Sequence, residues 1–386
     1  VGLLRGSRTM GPPKGVDSRA MPTATSALDQ ERALAAKAHQ LGERLRSETA
    51  RRIIGLDDVV EQVLITVLTR NHALLEGVPG LAKTLLLSTV AELLDLKFSR
   101  IQFTPDLMPS DVTGSEYLLE DPATGERKFR FAKGPVFANI VLADEVNRAP
   151  PKTQAALMEA MEERQVTSLG VTRALDDPFI VLATQNPIEQ EGTYPLPAAQ
   201  SDRFLFKVHL DYPAFEEEAR IARLVSLDPD EQLERILSRD EFIELADAIA
   251  AVPVDKALVR YAVELAQASR PQAETAPSIV REYVEWGVGP RAAQALVTGA
   301  RARALLRGRA RAHFEDVRAL APAVFRHRLV LSYAAEADGV GTEPLIEALL
   351  EKVRHPGQAL EAAGPSWFRR VWNALVLTPE ERRRIA

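Results

Sequence analysis

The spacing of apolar positions changes near residue 212 and divides the chain into two parts. In the first part, short apolar or alternating runs predict five strands, with helical segments between them. These runs occupy residues 73–75, 97–104, 140–143, 179–184 and 204–210. From Pro213 onward the strand signals stop, and segments rich in Ala, Glu, Leu and Arg predict helices. We therefore expect an α/β core followed by a helical domain.

The first part carries additional elements before and between its strands. Residues 1–27 are rich in Gly, Pro, Ser, Thr and Arg, a composition that predicts disorder. Residues 28–52 place apolar side chains at helical spacing and predict an amphipathic helix, and a second helix follows Gly55. Residues 117–131 and 165–172 predict β-hairpins. The first hairpin stands where a crossover helix is expected. It either projects from the body or packs on its own domain, and both interpretations remain open.

A glycine-containing segment follows the first predicted strand. Residues 77–84 read Gly-Val-Pro-Gly-Leu-Ala-Lys-Thr and lead into a helical segment. Glycines let the backbone fold tightly, so that several N–H groups point toward an anion at the positive end of the helix. In the pattern G-x-x-x-x-G-K-[ST], the lysine reaches the β- and γ-phosphates and the hydroxyl ligates Mg²⁺. Ala82 occupies the second glycine position. The segment alone therefore also fits an ordinary glycine turn.

Two adjacent carboxylates follow the third predicted strand. Asp144 and Glu145 end the apolar run at residues 140–143. In a nucleotide site, Asp144 can hold the Mg²⁺ shell while Glu145 polarises the attacking water. Asn186, after the fourth strand, can hold the same water and sense the γ-phosphate, although asparagine before proline is also a common turn. The phosphate loop and the paired acids, in this order, predict a Mg-ATP site.

Composition narrows the class of protein and the chemistry available to it. The chain has 386 residues, 46% hydrophobic and 26% charged, as expected for a globular protein of two or more domains. A net charge of −6 argues against bulk affinity for nucleic acid and leaves a local basic patch open. The absence of cysteine excludes disulfides, thiolate zinc sites and cysteine nucleophiles. No apolar run is long enough to span a bilayer, and we expect a cytoplasmic protein.

Arginines are the notable side chains of the helical part. Arg291 follows Pro290 at the predicted start of a helix, where the helix dipole does not favour a cation, and a phosphate is one candidate target. Arg303, Arg307 and Arg311 recur at helical spacing. We interpret them as a solvated or partner-binding face, with a nucleic-acid contact as the alternative.

Several segments together resemble the MoxR family of AAA+ ATPases. They are residues 74–84, 143–157, 183–187, 193–197 and 202–204, and the family shares the alanine found at position 82. The resemblance extends from about residue 30 to about residue 350. It implies a core at residues 28–212 built on a five-stranded parallel sheet of order 5-1-4-3-2. The hairpins would be the helix-2 and pre-sensor-1 inserts. An all-α lid at residues 213–350 and a tail of unclear role at residues 351–386 would follow.

The resemblance also implies roles for single residues. Asn186 is similar to sensor 1, Arg203 to the arginine finger that reaches a neighbouring subunit, and Arg291 to a sensor 2 acting in its own subunit. Glu145 would be the catalytic base, and Thr84 and Asp144 would hold Mg²⁺. The ATP phosphates would be bound by Gly77, Val78, Pro79, Gly80, Leu81, Ala82, Lys83, Thr84 and Leu85. The chain departs from the family at Leu56, Ser201 and Gly289.

The function implied by the resemblance is that of an oligomeric machine. We expect a homo-oligomer, a hexameric ring, that uses ATP and Mg²⁺ to remodel or mature a client protein. Metal-centre insertion or complex assembly, with a partner carrying a von Willebrand factor A domain, is the implied process. A nucleic-acid remodeller is the alternative, for which Arg127, Lys128 and Arg130 on the first hairpin supply some basic charge. A nucleotide-binding scaffold without hydrolysis is disfavoured because the expected catalytic residues are all present.

Overall fold

The computed structural model describes residues 24–78, 80–120, 127–168, 170–186, 192–223 and 233–355. Its strands are β1 (Ala73–Glu76), β2 (Phe98–Gln102), β3 (Gly114–Glu120), β4 (Arg127–Lys133), β5 (Ile140–Asp144), β6 (Gln165–Ser168), β7 (Val171–Ala174), β8 (Ile180–Gln185), β9 (Phe206–His209), β10 (Val284–Trp286) and β11 (Val330–Leu331). Its helices are α1 (Ala24–Ala50), α2 (Asp57–Leu68), α3 (Lys83–Leu93), α4 (Pro109–Thr113), α5 (Pro151–Glu163), α6 (Ala198–Ser201), α7 (Phe215–Arg223), α8 (Arg239–Ala251), α9 (Lys256–Ala268), α10 (Ser278–Tyr283), α11 (Pro290–Leu306), α12 (Phe314–Phe325), α13 (Tyr333–Asp338) and α14 (Thr342–Lys352).

The core contains a five-stranded sheet in the order β2-β5-β8-β1-β9, and every pair in it is parallel. Numbered along the core and read from the β9 edge, this is the predicted order 5-1-4-3-2. The central strands are continuous apolar runs because both of their faces are buried. Their carboxyl ends meet at one edge, where Gln102 pairs with Asp144 and Glu76 with Gln185. The polar groups that follow the strands are thereby collected at that edge.

Helices cover both faces of the sheet. Because strand side chains alternate, Leu75, Leu142 and Leu182 enter one apolar cluster together with α2 and α3. Their neighbours along the strands enter a second cluster, against α5 on the opposite face. The first cluster continues into the lid through residues such as Leu265 and Leu296. The α/β core and the helical lid therefore share an apolar interior, and the predicted boundary near residue 212 falls between β9 and α7.

Both predicted hairpins are present. Strands β3 and β4 pair from Gly114 and Lys133 out to Glu120 and Arg127, and β6 pairs with β7. The predicted turn of the first hairpin at residues 121–125 lies outside the described residues. At the base, Phe131 packs against Phe137 at 5.8 Å between ring centroids. Farther out, Phe129 is 71% exposed. The hairpin is thus anchored at its base and solvent-exposed toward its end.

The first helix begins earlier than predicted. Helix α1 starts at Ala24, so the assignment of residues 24–27 to a disordered segment is wrong, and residues 1–23 lie outside the described residues. The helix packs against α11 of the lid, where His39 Nδ1 lies 2.8 Å from the carbonyl oxygen of Leu306. Contact with the lid, which the local sequence pattern does not reveal, accounts for part of its apolar face.

The prediction of a solvated or partner-binding arginine face is wrong for Arg303, whereas Arg307 and Arg311 are exposed. Arg303 is 12% exposed and bonds two buried carboxylates, Glu61 of α2 at 3.2 Å and Asp316 of α12 at 2.8 Å. Arg307 also binds Glu61, at 2.9 Å. Arg311 lies beyond the helix end, 3.8 Å from Glu31. Buried carboxylates need cationic partners, and these arginines supply them across helices of the core and the lid.

The lid is not entirely helical. Strands β10 and β11 form a short antiparallel pair, so the expectation of an all-α lid is corrected. The pair forms because Val284 is buried and its backbone needs partners after α10 ends. Helix α14 runs to Lys352, and the predicted tail from residue 356 onward lies outside the described residues. Within the described part of the chain, none of the helices combines the length and apolarity needed to cross a bilayer.

Candidate active site

The loop between β1 and α3 is shaped for close approach of an anion. Gly80 has φ of +90° and Ala82 has φ of +52°, both in the left-handed region. A Cβ at Gly77 would lie 2.7 Å from the carbonyl oxygen of Leu210, so only glycine fits there. Helix α3 begins at Lys83, and its first N–H groups have no partner within the helix. The loop can therefore direct backbone donors at a phosphate.

Lys83 is held over this loop. Its ammonium donates to the carbonyl oxygen of Gly77. Burial lowers the pKa of Lys83, and the negative charges of Asp144, Glu145 and Glu76 act in the opposite direction. The side chain therefore lies in a partly desolvated site beside three acids, where an anionic ligand would gain from a fixed cation.

The two acids predicted from the sequence point in different directions because Thr184 lies between them. Thr184 Oγ1 donates to Asp144 Oδ1 at 2.6 Å and accepts the N–H of Glu145 at 2.8 Å. Glu145 takes φ of +57°, which turns its side chain away from the strand direction. One threonine at the end of β8 thus orients both carboxylates, as different roles require.

Strand β2 supplies two further partners to these acids. Arg100 binds Asp144 Oδ2 at 2.7 Å, and Gln102 donates to Glu145 Oε2 at 2.9 Å. Arg148 also binds Glu145 Oε2, at 3.0 Å. The acids are therefore already engaged, and a ligand that uses them must compete with or share these bonds.

The structure brings most of the predicted phosphate-site residues around one cavity of about 450 Å³, which we call the phosphate cavity. Lining residues are Gly77, Gly80, Leu81, Ala82, Lys83, Thr84, Leu85, Arg100, Gln102, Asp144, Glu145, Thr184 and Asn186. Val78 belongs to the same loop without lining the cavity, and Pro79 lies outside the described residues. Amide donors and an ammonium suit a polyphosphate, while a hydroxyl and carboxylates suit a hard divalent cation. The donor set therefore fits Mg-ATP.

A second, more apolar cavity of about 380 Å³ adjoins the phosphate loop. It shares Leu81 and Leu85 with the phosphate cavity. Its other walls come from Ile53, Ile54 and Leu56 between α1 and α2, and from Tyr212 and Ile221 around α7. Such a surface suits the flat apolar face of a nucleotide base.

The two predicted arginines, Arg203 and Arg291, line a different cavity of about 550 Å³, which we call the arginine cavity. Arg203 Nη2 contacts Glu162 Oε2 at 2.5 Å, and Arg291 lies 3.8 Å from Glu162 and 3.6 Å from Asp202. Neither arginine belongs to the described residues that line the phosphate cavity. The fold of the lid places Arg291 beside Arg203, and the action of Arg291 in its own subunit stays a prediction.

The cationic character of the arginine cavity comes from guanidinium groups alone. Its single histidine, His72, is buried, and burial lowers the pKa of His72 to about 4. His72 Nδ1 accepts the N–H of Val181 at 2.9 Å, which requires an unprotonated nitrogen. Near neutral pH the histidine is therefore uncharged, and five arginines of the described residues line the cavity: Arg70, Arg164, Arg203, Arg291 and Arg328.

Comparison with known proteins places these features in a family. Residues 72–206 match the model of the ATPase family associated with various cellular activities (AAA), and residues 276–349 match an AAA lid domain. Chaperone MoxR1 of Mycobacterium tuberculosis is 45% identical over 323 residues, covering 84% of each chain. The chain belongs to the MoxR family of AAA+ ATPases.

Further comparisons agree with this MoxR-family membership. Protein MoxR of Methylorubrum extorquens is 33% identical over 334 residues, which cover 81% of this chain and 94% of that protein. A solved structure of a candidate ATPase from Cytophaga hutchinsonii is 41% identical, with a TM-score of 0.78, over 85% of this chain and 98% of that one. The sheet order, the phosphate loop and the helical lid are thus those of a MoxR-type AAA+ chaperone that binds nucleotide.

Several site residues of this MoxR-family protein were missed at the level of sequence. Arg100 and Gln102 stand on either side of apolar Ile101, so their spacing of two places them on one face of β2. That alternation, combined with the predicted neighbourhood of β2 and β5, was the available signal. Glu162 had no such signal, because the adjacent Glu163 has the same chemistry. Only the packing of α5 against the core separates the two.

Proposed function

We propose that this MoxR-family protein hydrolyses Mg-ATP where two of its copies meet and uses the energy to remodel a client protein. The observation that carries the proposal is the separation of two cavities, one with the phosphate loop and acids and the other with Arg203 and Arg291. Phosphoryl transfer needs cations at the developing charge. Copies joined head to tail can bring one copy's arginines to the next copy's phosphates, and such contacts close into a ring.

Each copy would supply one complete phosphate site. Lys83 and the loop amides would bind the triphosphate, and Thr84 and Asp144 would hold Mg²⁺. The bound cation would neutralise part of the phosphate charge. Glu145 would accept the proton of the attacking water, and Asn186 would orient that water. Because Gln102 and Arg148 contact Glu145 at 2.9 and 3.0 Å, they can keep the carboxylate in place before the water arrives.

The neighbouring copy would supply both arginines. Arg203 lies at the end of the core and Arg291 at the start of a lid helix, and both line one cavity. We therefore propose that sensor 2 acts on the neighbouring nucleotide together with the finger. Hydrolysis would then change contacts made by the core and the lid at once, which couples the chemical step to movement between subunits.

A protein client is favoured by the surface of the first hairpin. Leu118 and Phe129 are paired across β3 and β4, and they are 49% and 71% exposed. An apolar cross-strand pair suits a polypeptide better than a phosphate backbone. We propose maturation or complex assembly as the process, including metal-centre insertion with a partner that carries a von Willebrand factor A domain. A pull-down with Glu145→Gln, held in its ATP state, tests for a retained client.

Subunit mixing tests the shared site directly. Arg203→Ala leaves a copy with its own phosphate site intact, and Lys83→Ala leaves a copy with its arginines intact. In a random equal mixture, about a quarter of the interfaces join the two intact halves, so ATPase activity should return to roughly a quarter of the parent's rate. Each variant assayed alone is the control and should stay nearly inactive. Mixtures that assemble but stay as inactive as the separate variants would contradict an arginine acting on the neighbouring copy.

A further inference from the structure

Glu162 connects the two arginines. It lies in the last turn of α5, with its carboxylate 2.5 Å from Arg203 Nη2 and 3.8 Å from Arg291 Nη2. Arg203 belongs to the α/β core and Arg291 to the lid. The Glu162 side chain is 42% exposed, so a neighbouring copy can reach it. A single carboxylate therefore joins a core arginine to a lid arginine at the edge of the arginine cavity.

Asp202, the other nearby acid, does not join Arg203 to Arg291. Asp202 Oδ1 binds Arg328 at 2.8 Å, and the Arg328 side chain is only 3% exposed. Arg328 also donates to the carbonyl oxygen of Asp202 at 3.0 Å. Asp202 is thus committed to neutralising a buried guanidinium, which would be costly to leave unpaired. Glu162 is the acid whose carboxylate approaches both Arg203 and Arg291.

Two guanidinium groups on the same cavity repel one another unless an anion lies between them. Glu162 supplies that anion without using all the donors of Arg203. Arg203 Nη1 donates to the carbonyl oxygen of Met158 at a long 3.3 Å. Arg203 Nε is buried and has no hydrogen-bond partner among the described residues. The buried Nε cannot reach an external anion, but each Nη carries a second N–H and the side chain is 28% exposed, so these groups leave donor capacity for a further anion while the other N–H groups are fixed.

We propose that Glu162 is a positioning residue that holds Arg203 and Arg291 as one preorganised pair for the nucleotide of the neighbouring copy. This inference rests on the proposed shared site. Fixing a guanidinium before the phosphate arrives lowers the cost of reaching the productive geometry. Because Glu162 lies in the arginine cavity and not in the phosphate cavity, its loss should impair the copy that donates arginines and spare that copy's own nucleotide binding.

The first experiment compares Glu162→Ala and Glu162→Gln with Glu163→Gln in the full-length protein. Glu163 is the matched control, since it is the next residue, is exposed and forms no ion pair with the residues the structure describes. Both Glu162 variants should lose on the order of tenfold to a hundredfold in kcat, the effect of misplacing a catalytic group by about 1 Å. The KM for ATP should change by less than about twofold, because each copy's phosphate site is intact.

Subunit mixing then locates the defect. Glu162→Ala mixed with Lys83→Ala should regain activity, because the Lys83 variant supplies intact arginines to the other copy's intact phosphate site. Glu162→Ala mixed with Arg203→Ala should regain none, since both changes damage the arginine-donating side. A chain that carries Glu162→Ala together with Arg203→Ala and Arg291→Ala should be no slower than a chain with the two arginine changes alone, because Glu162 acts through these two arginines.

Several results would overturn the role of Glu162. A kcat of the Glu162 variants equal to that of Glu163→Gln would do so. Recovery of ATPase activity when Glu162→Ala is mixed with Arg203→Ala, and not when it is mixed with Lys83→Ala, would do so too. Thermal unfolding of Glu162→Gln, which keeps the size of the side chain, separates a folding defect from a loss of positioning. Equal fractional losses of folded protein and of kcat would assign the residue a structural role only.

The mixture of Arg203→Ala with Lys83→Ala is the reference. If it fails, the shared site itself is wrong, whereas if it recovers and the Glu162 mixture does not, only this inference is wrong.

Discussion

Lys83 and Glu145 face the same cavity with opposite charges, and the account gives them separable tasks. Removing the ammonium in Lys83→Ala should weaken ATP binding by about a hundredfold or more, equivalent to the loss of charged hydrogen bonds worth about 3 kcal/mol. Glu145→Gln keeps the cavity and its hydrogen-bonding capacity, so ATP should bind with little change. Titration of both variants with a fluorescent ATP analogue measures this difference.

ATP turnover should fall in Glu145→Gln, although ATP binding should change little. Without a base for the attacking water, Glu145→Gln should lose about 10²- to 10⁴-fold in kcat. A single-turnover ATPase assay measures that loss, and Glu163→Gln serves as a control distant from the phosphate cavity. Equal turnover in Glu145→Gln and the parent would remove Glu145 from the role of base.

At this scale the sequence predicted residues whose chemistry is tied to a motif and missed those defined by packing. The loop, Lys83, Thr84, Asp144, Glu145 and Asn186 could all be predicted because strand ends and glycine turns fix their neighbourhood. The left-handed conformation of Ala82, at φ of +52°, explains how the loop tolerates alanine. Arg303 was misinterpreted because helical spacing cannot tell a solvated face from one covered by the carboxylates of other helices.

Among the elements, three helices depend on one buried carboxylate. Glu61 of α2 binds Arg46 of α1 and Arg303 and Arg307 at the end of α11. Glu61→Gln would remove the anion shared by these guanidinium groups and leave Arg307 without its ion pair, while Arg46 keeps Glu43 and Arg303 keeps Asp316. We expect the free energy of unfolding to fall by about 3 to 5 kcal/mol, the cost of breaking a buried pair. Denaturant unfolding measures it, and Glu264→Gln, in an exposed pair on α9, should change the unfolding midpoint little.

The buried carboxylates Glu61 and Asp316 make the free energy of unfolding depend on pH. Burial alone would raise the pKa of Glu61 and of Asp316. Burial is the largest single influence on each pKa, but it is outweighed by several others together. At Glu61 these are the hydrogen bond from Arg307 and the charges of Arg303, Arg307 and Arg46, and at Asp316 they are the hydrogen bonds from Arg309, His313 and Arg303 and the charge of Arg309, so that the pKa values lie below the ordinary 4.5 and 3.8. A depressed carboxyl pKa stabilises the fold above its ordinary value, and the contribution is lost as pH falls through the lowered value. Unfolding followed from pH 7 toward acid should therefore reveal a loss that is smaller in Glu61→Gln.

The first hairpin is the element on which the client hypothesis depends. Phe129 is 71% exposed, so Phe129→Ser should leave the thermal unfolding midpoint and the basal ATPase rate within experimental error. We expect it to reduce stimulation of the ATPase by an unfolded protein severalfold, while Val171→Ser on the second hairpin does not. Stimulation by DNA that is lost in Phe129→Ser would instead favour the nucleic-acid alternative.

Element types were predictable to the extent that local pattern decides them. The five core strands are apolar because both sheet faces are covered, and both hairpins carry turn signals. The packing of α1 against α11 and the β10–β11 pair were not predictable, because the first depends on contact with the lid and the second on a backbone left to be paired. These are tertiary effects, to which propensity contributes little.

For the whole molecule, the decisive fact is that the groups proposed for one reaction line two separate cavities. The sequence predicted Arg203 and Arg291 as separate candidates, but not that the lid would put Arg291 beside Arg203. That arrangement depends on how α11 packs against α1, α2 and α12, which no local pattern contains. Under the proposed function, this arrangement would give each copy two half-sites, and a single copy would be incomplete for hydrolysis.

The most direct measurement of this claim is the ATPase rate per chain as a function of protein concentration, with the mass of the assembled species recorded in the same samples with Mg-ATP. If each site is completed by a neighbouring copy, as we propose, the rate per chain should be near zero where the chain is monomeric. It should rise in step with the fraction assembled, and level off when assembly is complete. A monomer that hydrolyses ATP at the full rate, or an assembled species that remains inert toward Mg-ATP, would contradict the account.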